Sequence, residues 1–454
     1  LEQPDSVHLK KQAALVHTAR ITTIHSFCLS VIREYFHTID LDPGFRVAEE
    51  GELRLLKQDV LSELLEERYQ EGSSRFLRFA ETFSPGRDDR KLEELVLELY
   101  EASGAFPDAR EWLEDCADEY RKGLSGDSRW MKRLVSHIKA SLNAVEGMIE
   151  KARKICLEPG GPAVYEKALD ADKKLIKNMQ KAAGFEELWF AFWAGGKAAF
   201  ARLPAARGEE LDEKKTEEVK NLRNQWKKAL TDLKEQFFFQ KPEEMERDFQ
   251  LCIPVTEELV SLVLEFEERF RQQKNRKNLI DFRDMEQYAL QILTRKENGK
   301  RVPTEAALDY QERFEEVMVD EYQDSNLLQE AVLTSVSRNS RGGHNLFMVG
   351  DVKQSIYRFR LARPELFLEK YHTYAREEGP DCRIDLHRNF RSRPEVLESV
   401  NALFERLMVK ELGGITYDEE AALNPGAEFP ETPDCGTEIL VVDAAFSRET
   451  EQDS

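Results

Sequence analysis

The feature that most constrains the fold is a long stretch, from about residue 49 to about residue 274, that carries helical patterns and no strand pattern. Glu, Lys, Arg, Leu and Ala dominate it, and apolar residues recur three and four positions apart, as at Leu53, Leu56, Val60 and Leu64. This spacing is typical of amphipathic helices. Proline and glycine interrupt the pattern at residues 84–86, 104–107, 159–162 and 203–204. We therefore predict one all-helical domain with about eight to ten helices of ordinary length.

An aromatic cluster lies within the helical stretch. It consists of Trp189, Phe190, Phe192, Trp193 and the run at residues 237–239 (FFF). Two interpretations remain open, a binding surface and a helical core. The core is favoured, because large aromatic side chains are usually buried.

The segment upstream of the helical stretch predicts a single helix. Apolar residues are spaced three and four apart over about residues 24–36, which indicates one buried helical face. Thr22 or Thr23 would cap the N-terminus of this helix. The string Leu41-Asp42-Pro43-Gly44 would end it, because proline and glycine interrupt helices.

The segment downstream of Asn278 alternates between strand and helix patterns. Short apolar runs at residues 314–319 (FEEVMV), 345–349 (NLFMV) and 383–386 (RIDL) are interpreted as strands. Pro364 and Pro394 stand where the first residue of a helix is expected. Such alternation predicts an α/β layer with a parallel sheet. A last apolar run at residues 439–442 is expected to open a further α/β unit.

Composition narrows the class of protein. A chain of 454 residues is expected to form two or three domains. Its net charge of −21 argues against a protein that coats DNA uniformly, because an acidic surface repels phosphates, so nucleic acid would bind in a local basic cleft. No apolar run is long enough to predict a membrane span, and no secretory signal pattern is visible. None of the six cysteines forms a CxxC pair, which argues against a zinc site and predicts reduced thiols in a cytosol.

The first string with chemical content is Asp320-Glu321-Tyr322-Gln323-Asp324-Ser325, which follows an apolar run. Ligands bind beyond the carboxyl ends of parallel strands, so both leading carboxylates would face a site. One carboxylate can hold Mg²⁺ through water and the next can polarise an attacking water. The alternative for the Asp-Glu pair alone is a solvated turn, and the full string is more specific.

The second string is Gly350-Asp351-Val352-Lys353-Gln354-Ser355, and the residues after it interleave Tyr357 and Phe359 with Arg358 and Arg360. The amide of Gln354 could reach a phosphate. Aromatic rings that stack on bases, flanked by cations, are typical of single-strand binding. The alternative is the start of a helix with core aromatics and surface arginines.

The third string is Asn389-Phe390-Arg391-Ser392, a turn followed by a proline-initiated helix. Arg391 is the candidate arginine finger, which would place a fixed positive charge against a transferring phosphoryl group. An exposed basic turn explains the same residues equally well.

In this order, the three strings resemble motifs II, III and IV of the UvrD/Rep/RecB-like DNA helicases of superfamily 1A. Asp320 and Gly350 are thirty residues apart, and Gln354 and Arg391 thirty-seven. Thr23-Ile24-His25-Ser26-Phe27 is similar to the DNA-contacting TxHSF element, and Asp281-Phe282-Arg283-Asp284-Met285 to the DFxDL element. Tyr322, Val352-Lys353, Asp42-Pro43-Gly44-Phe45 and residues 361–367 look most like the AddA component of AddAB-type helicase–nucleases.

The resemblance implies roles for particular residues. Asp320 would serve Mg²⁺, through water, and Glu321 would activate the hydrolytic water. Gln354 would sense the γ-phosphate of ATP, and Arg391 would stabilise the charge that develops on it. Thr23, His25, Tyr357, Phe359 and Arg360 would contact DNA, and Asp281 and Asp284 receive no role.

The resemblance also implies an architecture. A partial RecA-like motor domain of the P-loop NTPase type would comprise residues 1–45 and 276–392. An all-helical insertion (1B) would occupy 46–275, and a second motor domain would begin at 393–454. The implied protein is a 3′→5′ DNA helicase and nuclease for double-strand break repair and recombination, acting on single- and double-stranded DNA in the cytoplasm, with an AddB-like partner in a heterodimer.

One departure from the family is evident: no GxxxxGK[ST] string occurs in the sequence. Without this P-loop no backbone amides would cradle the phosphates. We therefore expect a segment of a longer protein, without the P-loop, motifs V and VI or the nuclease domain, that does not hydrolyse ATP alone. Two alternatives remain, a stand-alone UvrD/Rep-type repair helicase and a non-catalytic helicase-like scaffold.

Overall fold

The computed structural model describes residues 7–16, 19–84, 86, 88–194, 200–206, 211–376, 379–409, 415–430 and 436–441. The chain divides into two compact units. The first unit comprises Leu1–Glu315 and Asn326–Val336, and the second comprises Glu316–Ser325 and Ser337–Ser454. Among the described residues, no helix has the length and apolar character needed to cross a membrane.

The first unit is mainly helical. Nine α-helices occupy the described part of residues 50–276, in agreement with the number predicted from apolar spacing. They are α3 (Glu50–Glu71), α4 (Ser74–Phe83), α5 (Arg90–Ser103), α6 (Ala109–Lys122), α7 (Arg129–Leu157), α8 (Glu166–Gln180), α9 (Phe185–Ala194), α10 (Glu213–Phe237) and α11 (Pro242–Arg276). Two helices precede them, α1 (Val7–Leu15) and α2 (Ile24–Tyr35), and three follow, α12 (Phe282–Leu293), α13 (Glu305–Arg313) and α14 (Leu327–Val336).

The helical stretch contains two separate apolar cores. Helices α7 to α10 surround one of them, in which Trp226 is fully buried. The long helix α11 packs with α3 to α6 around the other, through Phe266 and Phe270. A buried ion pair braces the first core: Arg223 donates to Asp172 at 2.8 and 3.1 Å and to the carbonyl of Ala201 at 2.6 Å.

The aromatic cluster serves both as core and as surface. The rings of Phe192 and Phe238 are buried and stack with their centroids 4.5 Å apart. Phe190 is 58% exposed and Phe239 61% exposed, while Trp193 carries the ammonium of Lys234 3.9 Å above its ring. The core interpretation therefore holds for the inward rings of α9 and fails for the outward ones.

The segments that flank the helical stretch meet in a third core. Helix α2 begins after Thr23, whose hydroxyl accepts a hydrogen bond from the Ser26 amide at 3.4 Å, as predicted for an N-cap. Its buried face packs against α12, α13 and α14. Strand β1 (Arg46–Val47) pairs in parallel with β2 (Leu279–Ile280) and so joins the two ends of the stretch.

A hairpin in this unit was not predicted. Strands β3 (Thr294–Glu297) and β4 (Lys300–Pro303) are antiparallel. Asn298 and Gly299 connect them with φ values of 51° and 77°. An Asn-Gly pair between short strands is the usual signal for a two-residue turn of this type, so the sequence contained it.

The second unit contains small parallel sheets, as the predicted α/β layer requires. Strand β5 (Val317–Val319) pairs in parallel with β6 (Leu346–Met348), and β7 (Arg388–Asn389) with β8 (Asn424–Pro425). Helices α15 (Pro364–Thr373) and α16 (Pro394–Leu407) each begin with proline, as predicted.

One predicted strand, the run at residues 383–386, is wrong. Residues 383–386 join no ladder, and the strand begins only at Arg388. Ile384 and Leu386 are 73% and 85% exposed, so no neighbouring strand satisfies their backbone or covers their side chains. Residues 439–441 likewise form no strand and are exposed, and Val442 lies outside the described residues.

Glu119 forms a buried connection between α6 and α7. Its carboxylate is 1% exposed and accepts hydrogen bonds from the Lys122 ammonium at 2.7 Å, the Arg129 amide at 2.7 Å and the Ser128 hydroxyl at 3.2 Å. Burial alone would raise its pKa, but these hydrogen bonds outweigh burial and lower the pKa to about 2. The ionised form therefore stabilises the fold.

We predict that Glu119→Gln lowers the free energy of unfolding at pH 7 by about 1–3 kcal/mol, because the three hydrogen bonds to residue 119 lose their charged acceptor. Since the folded-state pKa is depressed from 4.5 to about 2, the stabilisation is complete above about pH 4.5 and is lost as the pH falls towards 2. Urea unfolding of both proteins across this range measures the difference. The control is Glu114→Gln on the exposed side of α6; an equal loss there, or a pH-independent difference, would contradict the prediction.

Candidate functional site

The loop after β5 presents the two acidic residues of the first string. Asp320 and Glu321 are both exposed at the carboxyl end of the strand. The backbone of Glu321 has a φ of 50°, in the left-handed region that residues other than glycine seldom adopt. Tyr322, which follows, is fully buried, and its amide donates to the carbonyl of Val349 at 2.9 Å. The buried part of the string thus fixes a strained turn that directs two carboxylates outward.

Gln323 connects this loop to the one after β6. Its side chain is 1% exposed, its Nε2 donates to Glu321 Oε2 at 2.7 Å, and its Oε1 accepts from the amide of Asp351 at 3.0 Å. The loops that carry the first and second strings are therefore joined by one amide. Sequence reasoning gave Gln323 no role of its own.

Asp351 extends the connection to Gln354. One carboxylate oxygen accepts from the Lys353 ammonium at 2.9 Å, and the other from Gln354 Nε2 at 3.1 Å. The structure thus links two of the predicted residues, Glu321 and Gln354, through hydrogen bonds between neighbouring loops, and Asp320 directly precedes Glu321.

Arg391 is not joined to this network. It lies exposed in the turn after β7, where its amide donates to Asn389 Oδ1 at 2.9 Å. Within the described ranges, its guanidinium makes no hydrogen bond or ion pair.

The exposed acidic loop suits a hard cation that retains much of its water. Nowhere in the described chain do three His, Cys, Asp or Glu side chains converge as a protein-built metal cage would require. Mg²⁺ bound with a nucleotide commonly uses one or two carboxylates together with waters and phosphates. Asp320 and Glu321 fit that kind of site.

The aromatic and basic run after Gln354 forms a solvent-facing cluster. The rings of Tyr357 and Phe359 have centroids 5.9 Å apart, and the Arg360 guanidinium carbon lies 5.1 and 5.6 Å from them. Phe359 is 75% exposed. Rings open to solvent and next to a cation can stack on nucleobases.

A second exposed ring system lies in the first unit. His25 Nε2 is 3.2 Å from Glu286 Oε1, and the His25 ring meets the edge of the Phe282 ring at 5.1 Å. Phe282 is 61% exposed, although it begins an otherwise amphipathic helix, α12. Thr23 caps α2, so its hydroxyl is already occupied by Ser26. Sequence reasoning missed Phe282; its only signal was an apolar residue outside the buried face of α12.

Asp281 and Asp284 have a structural role. They bind the buried ammonium of Lys274 at 2.8 and 2.6 Å, and their side chains cap the N-terminus of α12. Burial and the neighbouring charge of Asp281 raise the pKa of Asp284 to about 6. Burial opposes ionisation of Asp281, but Lys274 outweighs it and lowers its pKa. This group anchors α12 to the end of α11.

Gly350 leaves room for the Gln323 amide. A Cβ at this position would lie 2.6 Å from Gln323 Oε1 and 3.0 Å from Phe367 Cε2. We predict that Gly350→Ala displaces Gln323 and destabilises the two loops by about 1–3 kcal/mol, as overpacking does. Hydrogen exchange of peptides covering residues 316–325 and 346–355 would show faster exchange.

Gly147→Ala is the matched control, because nothing lies within 4 Å of the added Cβ in helix α7. There alanine should stabilise the helix by about 0.5–1 kcal/mol. If hydrogen exchange in both loops were unchanged in Gly350→Ala, the position of the Gln323 amide would not depend on the space beside Gly350.

Comparisons with known proteins show similarity to one family of helicases. Residues 6–375 match the model of the UvrD/REP helicase N-terminal domain. The chain is 47% identical, over 98% of its length, to the A subunit of the ATP-dependent helicase/nuclease from Lachnoclostridium phytofermentans, of which it covers 33%. It is 41% identical over its whole length to the protein of the same name from Geobacillus kaustophilus and 39% identical to that from Bacillus velezensis, covering 37% of each.

The chain spans about a third of the length of the curated relatives it matches. The family model covers most of the chain, and these relatives align along nearly all of it. The chain therefore belongs to the UvrD/REP helicase family.

Proposed function

We propose that this chain is the central motor segment of the A subunit of an ATP-dependent helicase/nuclease. The observation that carries the proposal is the hydrogen-bonded connection from Glu321 through Gln323 and Asp351 to Gln354 at the ends of two parallel strands. Acidic and amide side chains fixed in this position are what nucleotide hydrolysis coupled to a loop movement requires.

The proposal includes a RecA-like organisation. Residues 1–45 and 276–392 would form one motor domain, 46–275 its helical insertion and 393–454 the start of a second motor domain. The parallel pairing of β1 with β2 supports this, because it joins the two ends of the insertion. A P-loop elsewhere in a longer polypeptide would supply the phosphate cradle.

The residues of the site divide the work of ATP hydrolysis. Bound Mg²⁺ would neutralise charge on the phosphate oxygens, and Asp320 would hold it through water. Glu321 would orient and polarise the attacking water. Gln354 would exchange Asp351 for the γ-phosphate and so report its presence, and Arg391 would approach that phosphate from its own turn.

The exposed rings would hold single-stranded DNA. Tyr357, Phe359 and Arg360 form one stacking surface in the second unit, and His25 and Phe282 form another in the first, next to Thr23. The resemblance supports 3′→5′ translocation, double-stranded DNA as a further substrate, an AddB-like partner, and double-strand break repair in the cytoplasm.

We predict that the 454-residue chain alone releases no phosphate from ATP, whereas a longer polypeptide that contains it shows DNA-stimulated release. Glu321→Gln in that polypeptide should lower kcat by about 10²–10⁴-fold, because the group that polarises water is lost. A malachite-green assay measures both. Glu316→Gln, an exposed carboxylate just before β5, is the control. Full activity of Glu321→Gln would refute the role, and a longer polypeptide without activity would favour the scaffold alternative.

We also predict that Phe282→Ala in the longer polypeptide weakens binding of an oligo-dT strand, because each base stacked on a ring contributes about 1–3 kcal/mol. Fluorescence anisotropy at fixed salt gives the Kd. Leu251→Ala, which removes a 60% exposed apolar side chain from α11, should leave the Kd within about twofold. Equal effects of the two substitutions would mean that Phe282 is not a stacking surface.

A further inference from the structure

Gln323 occupies a position in the site that the proposed roles do not explain. It is buried, and it touches both loops that carry the candidate residues. We propose that Gln323 is a positioning residue that ties Glu321 to the loop of Gln354, so that the two candidate groups are held in one geometry. This inference rests on the proposed function.

The chemistry of its neighbours fixes the orientation of the Gln323 amide. The amide of Asp351 can only donate, so it must meet the oxygen of the side chain. The carboxylate of Glu321 accepts, so it must meet the nitrogen. A flipped amide would place oxygen against carboxylate and nitrogen against N–H. Gln323 is therefore the neutral side chain that satisfies both neighbours at once.

Packing holds the side chain in this orientation. A Cβ on Gly350 would overlap the Gln323 oxygen, and Phe367 of α15 lies against the same place. The ring of Tyr322, the preceding residue, contacts Phe367 with centroids 6.4 Å apart. The Gln323 amide therefore has little freedom to adopt another rotamer.

Four hydrogen-bonded residues connect the loop after β5 with the loop after β6, so a movement of one loop would displace the other. Glu321 is bound by Gln323, which holds the backbone of Asp351, whose carboxylate binds Gln354. If Gln354 leaves Asp351 for a phosphate, the Asp351 loop shifts, and Gln323 carries the shift to Glu321.

A second carboxylate, that of Asp324, also lies close to the Gln323 amide, so both Glu321 and Asp324 have this neutral group as a neighbour. Asp324 Oδ2 lies 3.5 Å from Gln323 Nε2, and its Oδ1 is buried without a hydrogen-bond partner in the described chain. The pKa of Asp324 is raised, mainly by burial and also by the nearby negative charge of Glu321. An added negative charge at residue 323 would therefore meet two carboxylates, while the Lys353 ammonium is already paired with Asp351 at 2.9 Å.

The test uses Gln323→Glu and Gln323→Met in the longer polypeptide that contains this chain. Glu keeps the acceptor for Asp351 but can donate to Glu321 only when it is protonated. Because like charges this close share a proton, kcat relative to the wild type should fall by about tenfold or more between about pH 6 and about pH 9. Gln323→Met, which cannot ionise, should lower kcat by a similar factor at every pH. The KM for ATP should change less than about threefold in both variants, since Gln323 is buried and its proposed role is to position Glu321 rather than to bind nucleotide.

Gln311→Glu is the matched control. Gln311 is also 1% exposed and donates to the carbonyl of Ser335 at 2.8 Å, in the first unit. It should share the loss of stability that a buried carboxylate causes, without the pH-dependent loss of kcat. An active wild type in which Gln323→Glu has a pH-independent kcat ratio, or behaves like Gln311→Glu, would overturn this inference alone. A wild-type polypeptide without ATP hydrolysis would overturn the proposed function, and this inference with it.

Discussion

The parallel pairing of β5 with β6 is the constraint on which the site depends. The two strands are only three residues long, yet their pairing places the loops after Val319 and Met348 side by side. Parallel strands end at the same edge of a sheet, so this pairing alone brings together acidic and amide side chains from distant parts of the sequence. The Gln323 side chain then holds the two loops in one relative position, because it accepts a hydrogen bond from the Asp351 amide and donates one to the Glu321 carboxylate.

The helical stretch is stabilised independently of this edge. Its two apolar cores are closed among helices α3 to α11, and the buried group of Lys274, Asp281 and Asp284 anchors the next helix to it. The buried ammonium is costly to remove, because its loss leaves two buried carboxylates without a cation. Contacts among its own helices and with α12 therefore hold the helical stretch together.

The sequence predicted those elements whose signal is local. Helix α2 combined a clear apolar face with a threonine cap, and α15 and α16 began at prolines. The run at residues 383–386 failed as a strand because strand formation needs a partner, which no local pattern reveals. The same limit applies to Gln323. Its residue type was visible, but its two partners are two and twenty-eight positions away and only the fold brings the farther one into contact.

The string Asp320–Ser325 (DEYQDS) is specific because some of its residues face solvent and others are buried. An Asp-Glu pair after a strand is common, and exposed carboxylates alone do not define a site. Here the exposed Asp320 and Glu321 are followed by Tyr322 and Gln323, which are buried and bonded to the neighbouring loop. The buried members impose the positive φ of Glu321 and fix where its carboxylate points. A string of this kind is informative because its outward residues suit a ligand while its inward residues suit one particular packing, and chance seldom satisfies both.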